Sequence, residues 1–199
     1  RKLAIRFISD DPPPALVARL ADTFRRTDGD IRAVLGTLFR SPEFWSEEAR
    51  RTKIKTPLQL VASALRATGA ETDAGLPVLR VLKEMGQPLY LCQPPTGYKE
   101  TAETWSGTNA IVQRTSLAAS LASNRFPGTR TNARLSADTP RDAPTEQAIE
   151  EIGRALLGIP LSKESVQRTA LAAGRQGTSP GDVSALTALL LGSPEFQRR

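Results

Sequence analysis

Histidine is absent from this chain of 199 residues, and cysteine and methionine occur once each. Without an imidazole, a Ser-His-Asp triad, a Cys-His dyad and histidine-ligated zinc or haem are excluded within the chain. The single cysteine, Cys92, excludes an internal disulfide and a cysteine-cluster metal site. Aromatic residues are few, at 5%. No apolar run approaches the roughly 20 residues of a membrane-spanning helix. Both glycine-rich phosphate patterns, G-x-G-x-x-G and the P-loop, are missing. What is present is 39% apolar residues, enough for a packed core, in a length that suits one domain or two small ones.

The chain opens on Arg1-Lys2-Leu3, with no initiator methionine and no apolar signal-peptide core. Residues 1–8 read as the end of a helix without a start signal. A piece of a longer protein is therefore expected. The net charge is +6, unevenly placed. Residues 1–55 hold 12 basic and 8 acidic side chains, residues 56–135 hold 8 and 5, and residues 136–199 hold 7 and 8. A basic excess in the first two-thirds is one signature of nucleic-acid binding. Here the cations are interleaved with acids: Arg25-Arg26 precedes Asp28 and Asp30, and Arg50-Arg51 follows Glu47-Glu48. The aromatics do not interleave with the basic residues. A mixed, solvated helix surface accounts for the charge better than a nucleic-acid partner does.

The chain reads as helices punctuated by prolines. Asp11-Pro12-Pro13-Pro14 starts one, with Leu16, Val17, Leu20 and Phe24 on one face. Asp30 caps the next, with Ile31, Val34, Leu35, Leu38 and Phe39 as its buried stripe. Ser41-Pro42-Glu43 restarts a short helix, and Phe44 and Trp45 fold back on the preceding ones. Thr56-Pro57 repeats the device for a helix that ends at Gly69. Leu76, Leu79 and Leu82 mark another, which ends at Gly86. Further helices are expected at 106–123, 145–157, 163–173 and 182–192, with Ser162 and Ser179 as caps. Residues 124–144 read as a polar loop. No segment alternates long enough for a sheet. The fold class expected is all-α: an irregular helical bundle of about eight to nine helices. It forms a single domain over 1–199, with sub-units 1–85 and 106–199 joined by the loop 86–105.

That loop is distinctive. Three prolines, two glycines, both tyrosines and a tryptophan exclude a regular helix. A long segment without periodicity is often functional. Gln87, Tyr90, Cys92, Pro94, Pro95, Gly97, Tyr98 and Trp105 are the residues that would line a site there. Cys92 suits a small thiol in the packing better than a nucleophile. Its activation would need a helix end, a nearby cation or a group outside the chain.

Residues 29–44 echo residues 181–196 at an offset of 152, with 8 of 16 positions identical. The shared positions are Gly29/Gly181, Asp30/Asp182, Ala33/Ala185, Leu38/Leu190 and the run Ser41-Pro42-Glu43-Phe44 against Ser193-Pro194-Glu195-Phe196. Both stretches encode an Asp cap, an amphipathic helix and a Ser-Pro-Glu restart. A helix-pair module used twice in the core explains this better than a duplicated recognition unit. Two copies are too few for a solenoid. Elsewhere the chemistry is thin. Glu47 with Glu48, and Glu150 with Glu151, are adjacent and diverge on a helix, while Glu146 and Glu150 read as solvated surface. No catalytic residue, metal site or cofactor is expected within the chain.

Several motifs occur in a telling order. They are Asp10-Asp11-Pro12-Pro13-Pro14, Thr27-Asp28-Gly29-Asp30, Ser41-Pro42-Glu43-Phe44-Trp45, Lys55-Thr56-Pro57-Leu58, Gly86-Gln87-Pro88-Leu89-Tyr90, Pro94-Pro95-Thr96-Gly97-Tyr98 and Ser193-Pro194-Glu195-Phe196-Gln197. In these the chain resembles the C-terminal part of the bacterial domain-of-unknown-function 1800 family. The resemblance covers nearly all of the chain. It implies a longer parent whose N-terminal region is rich in histidine and acidic motifs, and a natural C-terminus close to Ser193. It also implies an envelope or exported setting, beside a partner family bearing twin-arginine signals. It supplies no reaction. The function expected is a helical structural and interaction module completing a larger bacterial protein. Its partners would be the N-terminal remainder of that protein or another protein. The alternative is part of an enzyme whose catalytic or metal-binding residues lie upstream, with the loop 86–105 along the site.

Overall fold

A computed structural model describes residues 1–131, 145–179 and 182–199. Most of the expected loop 124–144, and Gly181 of the echo, therefore lie outside the described residues. Among those residues the fold is all-α apart from one two-stranded ribbon. The helices are α1 (Lys2–Phe7), α2 (Pro14–Arg26), α3 (Ile31–Phe39), α4 (Pro42–Trp45), α5 (Pro57–Ala67), α6 (Leu76–Glu84), α7 (Ala102–Trp105), α8 (Thr108–Ala122), α9 (Thr145–Leu157), α10 (Lys163–Arg175), α11 (Val183–Gly192) and α12 (Pro194–Gln197). The number exceeds eight or nine because α4, α7 and α12 are single turns of four residues. The ribbon, β1 (Glu71–Thr72) with β2 (Thr129–Arg130), is antiparallel and pairs Thr72 with Thr129. Two residues per strand are too short to leave an alternating signature.

The chain forms two compact units. Unit 1 comprises residues 1–54, 99–104 and 198–199, and unit 2 comprises residues 55–98 and 105–197. In unit 1, Ala4 and Ile8 from the α1 segment, Leu16 and Leu20 of α2, and Val34 and Leu38 of α3 make the core. The α2 face runs through Leu16, Leu20 and Thr23, and Phe24 is rotated past it and about half exposed. The Phe24 ring lies over Gly29 instead, 3.3 Å from where a Cβ would be, and Gly29 adopts φ +83°. Ile31 is likewise exposed, because Val34 and Leu38 set the buried stripe of α3.

Unit 2 has the larger core, which draws on α5, α6, α8, α9, α10, α11 and α12. Its centre is α11, which packs most extensively on α8 and also meets α9, α10 and α12. A helix surrounded in this way is apolar on every side. Leu186, Leu190 and Leu191 are fully buried. Beside it, Gly153 lets α9 approach Leu161 closely: a Cβ there would come within 2.3 Å of the Leu161 side chain.

The caps follow the sequence in part. Asp30 accepts from the amides of Arg32 and Ala33, and Thr56 with Gln59 forms a capping box. Ser162 caps α10, and α11 is capped by Asp182 rather than Ser179. Asp11 does not cap α2. The helix starts after Pro13, and the Asp11 carboxylate lies 3.8 Å from Arg1. Ser41 donates to the Leu38 carbonyl at 2.7 Å instead of capping α4.

Candidate functional site

The two echoing stretches end alike. In unit 1, both Glu43 carboxylate oxygens accept from Nη2 of Arg19 on α2, at 2.6 and 2.7 Å. In unit 2, Glu195 accepts from Nη2 of Arg168 on α10 at 2.6 Å and from Ser165 Oγ at 2.5 Å. Each Ser-Pro-Glu turn thus ties its carboxylate to the helix preceding the capped one. The two phenylalanines then differ. Phe196 is buried under the ammonium of Lys55, which sits 3.9 Å from the ring centroid. Phe44 is half-buried and edge-on to Phe39.

In unit 1, Phe44 lines a cleft of about 620 Å³. Its aromatic wall is a run of edge-to-face rings, Phe7–Phe39–Phe44–Trp45, with centroids 5.2, 5.0 and 5.2 Å apart. Phe7, Phe44 and Trp45 line the cleft. Trp45 is held by its indole N–H, which donates to the Phe39 carbonyl at 2.8 Å, yet the residue is 75% exposed.

The opposite character of the lining is cationic: Arg6, Arg50, Arg51, Lys53 and Arg199. Lys53 is buried and its ammonium donates to Asp10 and to the Glu100 carbonyl. Asp10 also accepts from the Ala102 amide. Burial pushes the Asp10 carboxyl up, but the Ala102 amide and Lys53 outweigh it and hold it below the ordinary carboxylate value. Glu100 takes two guanidinium groups, Arg6 at 2.5 Å and Arg199 at 3.2 Å. The Arg199 Nε is buried without a hydrogen-bond partner. Burial, then repulsion from Arg6, lowers the Arg199 pKa against the opposing pull of Glu100. Arg50 meets Glu47 at 3.4 Å, an exposed pair of small energetic value. Arg51 is half-buried at φ +55°, and its side chain meets no partner among the described residues. Five cations against the carboxylates of Asp10, Glu47 and Glu100 leave two positive charges uncompensated.

The residues of the loop 86–105 are placed otherwise. Gln87 Oε1 accepts from the Leu58 amide at 2.8 Å and so satisfies a first-turn donor of α5. Tyr98 donates to the Pro88 carbonyl at 2.7 Å and its ring lies 5.8 Å from that of the buried Trp105. Desolvation, then charge repulsion from Cys92, raises the Tyr98 pKa above the ordinary phenol value. Pro94, Pro95 and Gly97 form an exposed turn, with Gly97 at φ +80°. Tyr90 is fully exposed at φ +61°. Cys92 is half-buried, 3.7 Å from the Pro94 carbonyl. The structure brings Pro88, Tyr98 and Trp105 together and leaves Tyr90, Pro94, Pro95 and Gly97 at the surface. None of the eight candidate residues of the loop lines the cleft of unit 1, whereas Glu100 of the same loop pairs with Arg6 and Arg199 there.

The cleft is scarcely legible in the sequence. The one local signal is Phe44-Trp45 followed within ten residues by Arg50-Arg51 and Lys53. Glu47-Glu48 concealed it, and Arg6 and Arg199 come from opposite ends of the chain. Arg114 carries no local signal at all. It is buried in unit 2, donating to the Lys55 carbonyl and to Gln197 Oε1, both at 2.7 Å. Its desolvation lowers its pKa.

Among the described residues, no group of three or more metal-ligating side chains is gathered, and no helix is long and apolar enough to cross a membrane. Neither a curated protein nor a solved structure is significantly similar to the chain. The model of one family, described as a protein of unknown function (DUF1800), matches residues 1–198. The order of proline and glycine motifs implied this match, and since it spans all but the last residue, the chain belongs to the DUF1800 family.

Proposed function

We propose that this chain is a helical structural and interaction module completing a larger bacterial protein, and that it works by binding rather than by turnover. The observation that carries this reading is the cleft of unit 1. Its aromatic wall is fixed by hydrogen bonding and ring packing before any partner arrives, and its cationic side carries uncompensated charge. Preorganised aromatic and arginine side chains are what binding surfaces enrich. Four of the chain's acids, by contrast, are tied into caps and ion pairs that stabilise helices: Asp30, Glu43, Asp182 and Glu195. The purified chain, screened against ester, phosphoester, peptide and oxidase substrates, is expected to give no turnover. Turnover that survives repurification overturns the proposal.

A second reading places catalytic or metal-binding residues upstream of this chain, with the loop 86–105 along the site. The exposed Tyr90, held in a left-handed conformation that a non-glycine residue rarely adopts, favours it. In that case turnover belongs to a longer protein only and falls when Tyr90→Ala is introduced without unfolding it.

A further inference from the structure

The cleft of unit 1 has a definite ligand chemistry. We propose that it binds an acidic peptide segment, with carboxylates facing Arg51 and the Arg6–Arg199 pair, and an apolar or aromatic side chain against the exposed face of Trp45. The inference rests on the interaction-module reading above and deepens it by naming what the module takes.

Three observations support it. The first is charge. Arg6 and Arg199 share the single carboxylate of Glu100, and Arg51 has no partner among the described residues. An incoming carboxylate would meet guanidinium donors suited to paired hydrogen bonds. The second is the wall. Trp45 is pinned through its indole N–H and by the edge of Phe44, so a side chain docking on it orders little that is not already ordered. The third is size. About 620 Å³ holds one or two side chains of a docked segment, in the range of ligand pockets.

The same wall argues against a phosphate-rich polymer. Glu47 lies on the lining beside Arg50. It repels a polyanionic backbone, whereas it can accept a backbone N–H from a peptide. With only two positive charges uncompensated, the cleft matches one or two carboxylates better than a run of phosphates.

The test is calorimetric titration of the purified chain at about 50 mM salt. The probes are the blocked peptide Asp-Glu-Phe-Asp-Glu, its neutral counterpart Asn-Gln-Phe-Asn-Gln, its aromatic-free counterpart Asp-Glu-Gly-Asp-Glu, and an oligothymidylate. Saturable binding of the first peptide is expected, weaker by about tenfold or more for the other two peptides, and weakened by salt. Trp45→Ala and Arg51→Ala, each with an unchanged circular dichroism spectrum, are each expected to lower affinity about tenfold. Leu171→Ala, an exposed position in unit 2, leaves it unchanged. Absence of saturable binding, equal binding of the neutral peptide, or displacement of the acidic peptide by the oligothymidylate overturns the inference. If the peptides fail and the substrate screen is also silent, only the ligand class falls. Turnover by the chain removes the module reading itself, whatever the peptides do.

Discussion

Glu195 shows how one side chain couples local structure to pH. Burial alone would raise its pKa. The Ser165 hydroxyl, its own backbone amide, the Arg168 guanidinium and Ser193 together hold it below the ordinary glutamate value. A carboxyl lowered on folding contributes stability above its unfolded pKa, and that contribution is lost as pH falls through the folded value. Glu195→Gln keeps the shape and removes the charge. It is therefore expected to lower the urea midpoint at neutral pH, and the gap from the parent should narrow as the pH is lowered through the acid range. A gap that is constant with pH would mean that the charge of Glu195 plays no part in folding. Arg114 illustrates the opposite case. It is a buried guanidinium with no carboxylate beside it among the described residues, held by one carbonyl and one amide oxygen. Nothing in its sequence neighbourhood, Val112-Gln113-Arg114-Thr115, marks it as buried, because its acceptors lie 59 and 83 residues away.

At the scale of the element, close packing gives the sharpest expectation. Gly153 is buried in α9, and a methyl group there overlaps Leu161. Gly153→Val is expected to destabilise unit 2 by roughly 1–3 kcal/mol in urea denaturation, through overpacking that outweighs the better helix propensity. A neutral or stabilising result would show that Leu161 moves aside freely. The elements themselves were largely legible. The Thr56-Pro57 start, the Asp30 and Asp182 caps and the Gly86 stop each combine a local steric rule with a local hydrogen bond, so a few neighbouring residues suffice to read them. The misreadings share a cause. Asp11 and Ser41 have the right chemistry for caps, but Asp11 faces Arg1 and Ser41 turns back to Leu38. Phe24 and Ile31 fit the helical period at its margin, and the buried face of each helix is chosen by what packs against it. The cleft was the least legible feature, since it joins residues 6–7, 44–53 and 199, and no local pattern encodes such separations.

At the scale of the molecule, the two units differ in how much apolar surface each removes from water. Among the described residues, the buried core of unit 1 has six residues and that of unit 2 twenty. At about 25 cal/mol per Å² of apolar surface, the smaller core gives the weaker driving force. Amides of α2 and α3 are therefore expected to exchange with deuterium faster than those of α8 and α11, read by mass spectrometry of peptides spanning each helix. Equal protection across both units would show that they open together.

The placement of the two indoles has an optical consequence. Trp45, in unit 1, is 75% exposed, whereas Trp105, in unit 2, is 1% exposed and lies beside Tyr98. One ring emits from water and the other from a dry, slowly relaxing interior. The fluorescence of the chain is thus a sum of a red component open to collisional quenchers and a blue one shielded from them. Each unit carries its own native chromophore, and a drop of acrylamide separates their signals without any label.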